Sequence, residues 1–331
     1  MSAAGTDIAV TAKARQAVGG RERAIIATFV LLALAPIAAQ AGPQGYIIDL
    51  ITRMMIFAIA ALSLDLILGY GAMVSFGHAA FIGLGAYAVG ILASHGVTDF
   101  VVQLAAALAA AAVFAFVTGA LSLRTKGVYF IMITLAFSQM LFFFGVSLSA
   151  YGGDDGLSLP ERSRLFGLPL FSSDKGLFYA TLACLIGCYL LCRAIVASRF
   201  GRVLRGAREN PVRMTAIGFS PYRFQLVAYV ISGMMAALAG ALLANQTGFV
   251  SPAYMSWQRS GELLAMTIFG GVGTLVGPII GAMAFLALEE WLAGLTEHWK
   301  MIFGPLLVCV VLFARGGIMG LAARIGGKRD G

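Results

Sequence analysis

The sequence predicts an all-α, polytopic membrane protein with about ten transmembrane helices. The first observation is composition: 60% of the 331 residues are hydrophobic, only 11% are charged, and the mean hydropathy is +0.90. The second is the recurrence of apolar runs of about 20 residues, the length at which an α-helix crosses a hydrocarbon core of about 30 Å. The runs are apolar at every position rather than at every second one, which excludes a transmembrane β-barrel.

The apolar runs define the predicted spans in order along the chain. They lie at 24–41, 46–69, 76–94, 99–122, 127–149, 176–197, 224–244, 261–273, 277–293 and 300–314. The eighth and ninth are short and interrupted by glycines, so a re-entrant segment is the alternative for one of them. The first also resembles a secretory signal, because arginines precede it and AQA ends it. We expect it to remain as an uncleaved span.

The basic residues predict how the spans are oriented. Most of the 23 Lys and Arg residues fall on one side if the N-terminus is cytoplasmic, which the positive-inside rule favours. Both termini are then cytoplasmic. The predicted organisation is a cytoplasmic segment (1–23), a transmembrane domain (24–314) and a cytoplasmic tail (315–331). Within the domain, 150–175 is the longest outer loop and 198–223 is a cytoplasmic loop.

Small residues recur at every fourth position in two parts of the chain. Such ridges let membrane helices approach closely, because packing rather than water drives their association. The ridges consist of Ser232, Ala236, Gly240 and Ala244, and of Gly273, Gly277 and Gly281. On the sixth span a similar stripe is formed by Cys184, Cys188 and Cys192. We expect helix packing there rather than a metal site, since no carboxylate or histidine accompanies the cysteines.

Two glycine pairs interrupt apolar stretches at comparable places in the two halves of the chain. They are Gly71 with Gly77 in GYGAMVSFGHAAFIG (69–83), and Gly271 with Gly277 in GGVGTLVGPIIG (270–281). Paired broken helices indicate inverted internal repeats around a central translocation pathway. Polar groups at broken helix ends are where irregular backbone tolerates a solute. We therefore expect the following side chains to lie near the pathway: Ser75, His78, Asn245, Gln246 and Glu262.

The stretch SRFGRVLRGARENPVRMTAIGFSPYRF (198–224) is rich in arginine within an otherwise oily chain. Asn210 is a good N-cap, Pro211 suits the first helical position, and Gly218 suits the position just past a helix end. These signals predict a short helix at 211–217 whose Met214 and Ile217 press into a groove on a partner. The alternative is a solvated basic loop that only enforces orientation. Nucleic acid is not expected as a partner, since no aromatic residues interleave with the arginines in a folded basic domain.

From about residue 46 to 320 the chain resembles the permease subunits of branched-chain amino-acid ABC importers, of the LivM type. The resemblance rests on LDLILGYGAMVSFGHAAFIGLGAYAVGIL (64–92), KGVYFIMITLAFSQM (126–140), YGGDDGL (151–157), SRFGRVLRGARENPVRMTAIGFSPYRFQLVAYVISG (198–233), SPAYMSWQRSGELLAMTIFGGVGTLVGP (251–278) and LFARGGIMG (312–320). Two positions depart from the family: Asp65 stands where Asn is commoner, and Pro211 is not usual in the coupling segment.

The resemblance implies a multi-pass subunit of a bacterial inner membrane, in contact with membrane lipid. Its implied partners are a second homologous permease, two cytoplasmic ATP-binding subunits and a periplasmic substrate-binding protein. The arginine-rich loop matches the family's ATPase-coupling segment. The coupling residues so implied are Arg205, Arg208, Glu209, Asn210, Met214, Ile217 and Gly218. The loop 150–175 would face the periplasm and help to receive the binding protein; a calcium site there is not expected, since the DxDxDG-like spacing is absent.

The sequence contains no motif that would power transport by ATP hydrolysis. It has no GxxxxGK[ST] motif and no Ser/His/Asp or Cys/His arrangement, so we expect a pathway subunit that is not an enzyme and needs no cofactor. The rival class is an ion-coupled secondary transporter, which places ionisable groups at mid-membrane. A membrane receptor or scaffold is a third class. Within the family architecture the substrate alternatives to branched-chain amino acids are other amino acids, urea, short amides and aromatic acids.

Overall fold

The structure is a computed structural model that describes residues 28–36, 44–165, 167–296, 298, 301–305, 308 and 316–320. The chain divides into two units at Ile48. Residues 28–36 form helix α1 in the first unit. The second unit, Asp49–Gly331, contains the remaining described elements except for the first residues of the next helix.

The described chain is mostly helical. After α1 the helices are α2 (Gln44–Gly71), α3 (His78–Ser94), α4 (Phe100–Ser122), α5 (Val128–Ser147), α6 (Asp174–Ala197), α7 (Arg199–Glu209), α8 (Pro211–Ala216), α9 (Pro221–Thr247), α10 (Trp257–Gly270) and α11 (Gly277–Leu295). Among the described residues, six of these are long and apolar enough to cross a membrane: α2, α4, α5, α6, α9 and α11. The apolar helix α3 is shorter, with 17 residues, and α10 has 14.

The predicted spans coincide with these helices over most of the chain. The predictions at 24–41 and 300–314 lie largely outside the described residues. The count of about ten spans therefore stays a prediction, and the coarser statement of a polytopic helical membrane protein is confirmed.

Both predicted interruptions are present. The first break (residues 72–77) separates α2 from α3, and the second break (residues 271–276) separates α10 from α11. Ala72 in the first break and Leu275 in the second have positive φ angles of 54° and 59°, unusual for residues with a side chain. The glycine pairs therefore mark real ends of helices, as the sequence predicts.

The ridge at 232–244 forms the contact of α9 with its neighbours. Its four small residues are fully buried. A Cβ added at Gly240 would lie 1.9 Å from the carbonyl oxygen of Ile82 on α3, and one at Gly85 would lie 2.0 Å from that of Ala237. The backbones of α3 and α9 therefore touch, which confirms the predicted role of the ridge.

The second ridge packs α10 against α11. A Cβ at Gly281 would lie 2.2 Å from the Met266 carbonyl oxygen, and one at Gly270 would lie 1.8 Å from the Gly277 carbonyl oxygen. Gly273 differs from the other two, because it lies in the second break and packs against Gly69 at the end of α2.

A small strand pair departs from the predicted all-α fold. Leu157–Ser158 (β1) pairs antiparallel with Phe249–Val250 (β2), which follows α9. This pair joins the loop 150–175 to the end of α9. The contact is long-range, and no local sequence pattern predicts it.

Candidate functional site

The segment 198–223, which we call the coupling segment, contains two helices rather than one. Helix α8 is the predicted short helix: the Asn210 Oδ1 accepts a 2.9 Å hydrogen bond from the Arg213 N–H, Pro211 is at the first position, and Gly218 has φ +89°. The prediction of a helix with signals at both ends is confirmed. Helix α7, which precedes it, was not predicted, although its buried Val203, Leu204 and Ala207 are spaced as one helical face.

Met214 corrects the prediction of a partner-facing anchor. Its side chain is only 9% exposed and packs against Val203, Ala207 and Phe224 of the same chain. Because α7 supplies the apolar face that Met214 covers, Met214 is not the exposed anchor that the sequence predicts. Ile217 is 60% exposed, as a docking residue would be.

Val212 adds to the exposed apolar surface of α8. It is 76% exposed, more than Ile217, and the sequence reasoning overlooked it. Glu209 and Arg213 are exposed beside it. An apolar surface edged by charge on so short a helix is suited to docking, since burial of the apolar side chains supplies most of the binding free energy.

Two of the predicted coupling arginines end on backbone carbonyls of this chain. The Arg205 guanidinium donates to the Val196 oxygen at 3.1 Å and to the Gly201 oxygen at 3.4 Å. The Arg208 guanidinium donates from Nη1 to the Gly69 oxygen at the end of α2. These two side chains therefore stabilise the coupling segment and also contribute positive charge to its surface.

A cavity of about 460 Å³ lies between the first break, the connection from α4 to α5 and the coupling segment. Its lining includes Ala72 from the first break, Lys126 from the connection, and Arg208 and Tyr222 from the coupling segment. The hydroxyl of Tyr222 donates to the Ala120 oxygen on α4 at 3.0 Å. The coupling segment thus faces the first break across an open space.

The end of α2 holds the second break in place. The Asp65 Oδ1 accepts a 2.7 Å hydrogen bond from the Gly273 N–H, and the Tyr70 hydroxyl donates to the Gly273 oxygen at 2.9 Å. Gly69 leaves no room for a side chain, since a Cβ there would lie 2.6 Å from the Gly273 nitrogen. The Asp65 side chain is fully buried, and its Oδ2 has no hydrogen-bond partner.

Two of the predicted pathway residues lie at the first break: Ser75 is within it, and His78, which follows it, contacts α2. His78 Nε2 lies 2.8 Å from the Ser63 Oγ, which itself donates to the Ala60 oxygen, so the imidazole is the donor in this pair. The Ser75 Oγ accepts from the Gly77 N–H at 3.2 Å. Both side chains are fully buried, and the His78 Nδ1 has no hydrogen-bond partner.

Two further predicted pathway residues, Asn245 and Gln246, use their side-chain amides in structural hydrogen bonds. The Asn245 Oδ1 accepts from the Ser163 N–H at 2.8 Å and its Nδ2 donates to the Ala241 oxygen at 3.0 Å. The Gln246 Nε2 donates to the Asp49 carbonyl and carboxylate oxygens at 2.9 and 3.0 Å. These bonds use groups that the sequence reasoning assigned to a solute.

Contacts between α2 and α9 show that the predicted pathway residues do not form one cluster. Ser232 bonds to Ser63 and Gln246 bonds to Asp49, so the two helices are antiparallel. Ser63 and Asp49 are nearly four turns apart, about 20 Å along the helix axis. His78, which bonds to Ser63, is therefore at a different depth from Gln246.

Glu262 occupies a third environment. It forms an ion pair with Arg259 at 2.6 Å on α10, and both side chains are about one-third exposed. On the same helix the buried Ser260 Oγ accepts from the Ala79 N–H of α3 at 3.1 Å. Ser63 and Ser260 bind the start of α3 to α2 and α10, and the sequence patterns did not indicate either residue. Their signal is a polar residue inside an otherwise apolar helix.

Comparison with known proteins defines the family. The model of the family described as "Branched-chain amino acid transport system / permease component" matches residues 46–311. The chain belongs to this family of ABC transporter permeases. The permease LivM of Escherichia coli K12, named a high-affinity branched-chain amino acid transport system permease, is 28% identical over 318 residues, covering 89% of this chain and 74% of the relative.

Other permeases match shorter stretches of the chain. The autoinducer 2 import system permease LsrC of Klebsiella pneumoniae is 29% identical over 188 residues, covering 54% of each chain. The permease LivH of E. coli K12 is 30% identical over 126 residues, covering 37% of this chain and 40% of the relative. No solved structure matches the chain. The relatives are permease components of transport systems rather than enzymes.

Proposed function

We propose that this permease carries branched-chain or related amino acids into the cytoplasm as the membrane subunit of an ABC importer. The observation that carries the proposal is the match to LivM over 89% of the chain. The coupling segment supports it, because Val212 and Ile217 project from a capped helix that a partner can cover.

The proposed assembly contains two permeases, this chain and a homologue, with two ATP-binding subunits and a periplasmic binding protein. We propose both termini on the cytoplasmic side, about ten crossings, and inverted repeats that place the two breaks around the pathway. In this arrangement 1–23 and 315–331 are cytoplasmic, 24–314 is the membrane domain, and 150–175 is the periplasmic loop that receives the binding protein.

Within this assembly the pathway is proposed to pass Ser75, His78 and Glu262, while Asn245 and Gln246 maintain its outer end. The coupling contact is proposed to be made by Val212, Ile217 and Arg213, with Arg205, Arg208, Glu209, Asn210, Met214 and Gly218 shaping the segment behind them. Buried apolar anchors contribute more to such a contact than exposed ion pairs.

The function is tested by reconstitution of the complete complex in proteoliposomes with ATP inside and the binding protein outside. We expect uptake of labelled leucine that requires both ATP and the binding protein. Urea, a short amide and an aromatic acid tested in parallel decide the substrate class. Uptake driven by an ion gradient without ATP would instead establish a secondary transporter.

A further inference from the structure

Two hydrogen bonds, joined through the last turn of α2, link the coupling segment to the second break. Arg208 donates to the Gly69 oxygen, Asp65 lies one turn earlier on the same helix, and Asp65 accepts from the Gly273 N–H at 2.7 Å. Tyr70 adds a second bond to Gly273. The coupling segment and the second break, far apart in sequence, therefore share the last turn of α2.

Helix geometry explains why this turn needs an outside donor. The last carbonyls of an α-helix lack partners within the helix. At the end of α2 the N–H groups of Ala72 and Met73 bond to the oxygens of Leu68 and Ile67. The Arg208 guanidinium serves the Gly69 oxygen, and a cation is favoured there because it complements the negative end of the helix dipole.

The buried carboxylate gives the same cation a second role. Asp65 is fully buried, and its Oδ2 has no hydrogen-bond partner. A buried charge is costly unless opposite charge or hydrogen bonds compensate for it. The backbone N–H groups of Gly273 and Leu275 stabilise the Asp65 carboxylate, and the charge of Arg208 adds a smaller attraction. Removing Arg208 therefore destabilises the end of α2. It also destabilises the ionised Asp65 side chain, which accepts the hydrogen bond from the Gly273 N–H.

We propose that Arg208 is a positioning residue that fastens the coupling segment to the second break, so that displacement of α7 by the ATPase reshapes residues 271–276. The proposal rests on the proposed function, since it needs an ATPase that moves the coupling segment. The cavity of about 460 Å³ beside Arg208 offers space for the side chain once it leaves Gly69.

The reporter is a cysteine at Val272, which is 37% exposed in the second break. Val272→Cys is placed in a chain whose four native cysteines are replaced by alanine, and an aqueous maleimide measures its labelling rate. In the complete complex we expect the rate to change between the nucleotide-free and ATP-bound states. Arg208→Gln should raise the nucleotide-free rate on the order of tenfold, the effect of losing one charged hydrogen bond, and Arg208→Lys should restore part of the original rate.

The matched control is Arg202→Gln, which removes the same charge from an exposed position of α7. We expect it to leave the labelling rate of Val272→Cys unchanged. Equal rates for Arg208→Gln and Arg202→Gln would overturn the proposal. If Arg208→Gln does not fold, Arg208→Lys carries the test, since it should raise labelling above that of the parent while thermal unfolding stays near that of the parent.

The full-length permease without partners separates this proposal from the proposed function. There Arg208→Gln should still raise labelling, because the contacts lie within one chain. If Arg208→Gln raises the labelling rate but ATP does not change that rate in the complete complex, only the proposed ABC mechanism is contradicted. A response to ATP that Arg208→Gln does not alter contradicts the role of Arg208 alone.

Discussion

The backbone N–H of Ser163 donates a 2.8 Å hydrogen bond to the side-chain oxygen of Asn245, 82 positions further along the chain. The Ser163 hydroxyl donates to the Gln103 Oε1 at 2.5 Å, and the Gln103 Nε2 donates to the Val97 oxygen at 2.7 Å. All three polar side chains are fully buried or nearly so. Helices α4 and α9 thus hold the loop 150–175 through a small polar network, which is the observed role of Asn245.

Asn245→Ala should therefore loosen the outer loop. The substitution leaves the buried Ser163 N–H without an acceptor, which costs about 1–3 kcal/mol. We expect lower thermal stability of the purified permease and faster proteolysis within 158–175. Ser94→Ala is the control, since the exposed Ser94 hydroxyl bonds only locally, to the Ile91 oxygen of its own helix and to the adjacent His95 Nδ1. Lost transport with unchanged stability and proteolysis would return Asn245 to the pathway.

Met214 and Ile217 should respond differently to the same substitution. Met214→Asp buries a charge among Val203, Ala207 and Phe224, so it should lower the stability of the permease itself. Ile217→Asp changes an exposed residue, so it should leave the permease folded and weaken ATPase binding by roughly 2 kcal/mol or more if Ile217 is a buried anchor of the contact. Thermal unfolding of the permease and co-purification of the ATPase measure the two effects. Normal ATPase binding by the folded Ile217→Asp variant would contradict the docking surface.

Features that depend on neighbouring residues in the sequence were predictable, whereas features that depend on contacts between distant parts of the chain were not. The helix at 211–217 and the breaks after Gly71 and Gly271 were predicted because caps and glycines act on their immediate neighbours. The ridge at 232–244 was predictable because its spacing is that of one helix face. The burial of Met214 was not, since it depends on the unrecognised helix α7. The bond of Asn245 to Ser163 was not either, because a polar side chain in a membrane helix has the same sequence signal whether it faces a solute or a loop.

Gly240→Ala should disrupt the packing of α3 on α9. The added Cβ would lie 1.9 Å from the Ile82 carbonyl oxygen, a backbone atom that cannot rotate away. Overpacking of this kind costs about 1–3 kcal/mol or more. Gly187→Ala on α6 is the matched control, because nothing lies within 4 Å of its added Cβ and Ala favours the helix. We expect a lower unfolding temperature for Gly240→Ala alone; equal temperatures would contradict the close approach.

Cysteine labelling should separate the proposed pathway residues by conformation. Ser75 is fully buried, so Ser75→Cys should be protected in the state described and labelled only when the transporter opens. Glu262 is about one-third exposed beside Arg259, so Glu262→Cys should be labelled in every state. An aqueous thiol reagent applied to the complete complex with and without ATP makes the comparison. Protection of Ser75→Cys in every nucleotide state would remove it from the pathway.

Gly218→Val should damage coupling through the backbone alone. Gly218 has φ +89°, and nothing lies within 4 Å of an added Cβ, so no side chain would clash. A residue with a side chain pays about 1–2 kcal/mol in the left-handed region, whereas Asn tolerates it better. Helix α8 has six residues and cannot be stable alone, so its end depends on the bonds from the Gly218 and Phe219 N–H groups to Thr215 and Met214. We expect Gly218→Val to lower leucine uptake per ATP hydrolysed in proteoliposomes and Gly218→Asn to retain most of it. Equal loss in both variants would show that the position needs its small size rather than its backbone conformation.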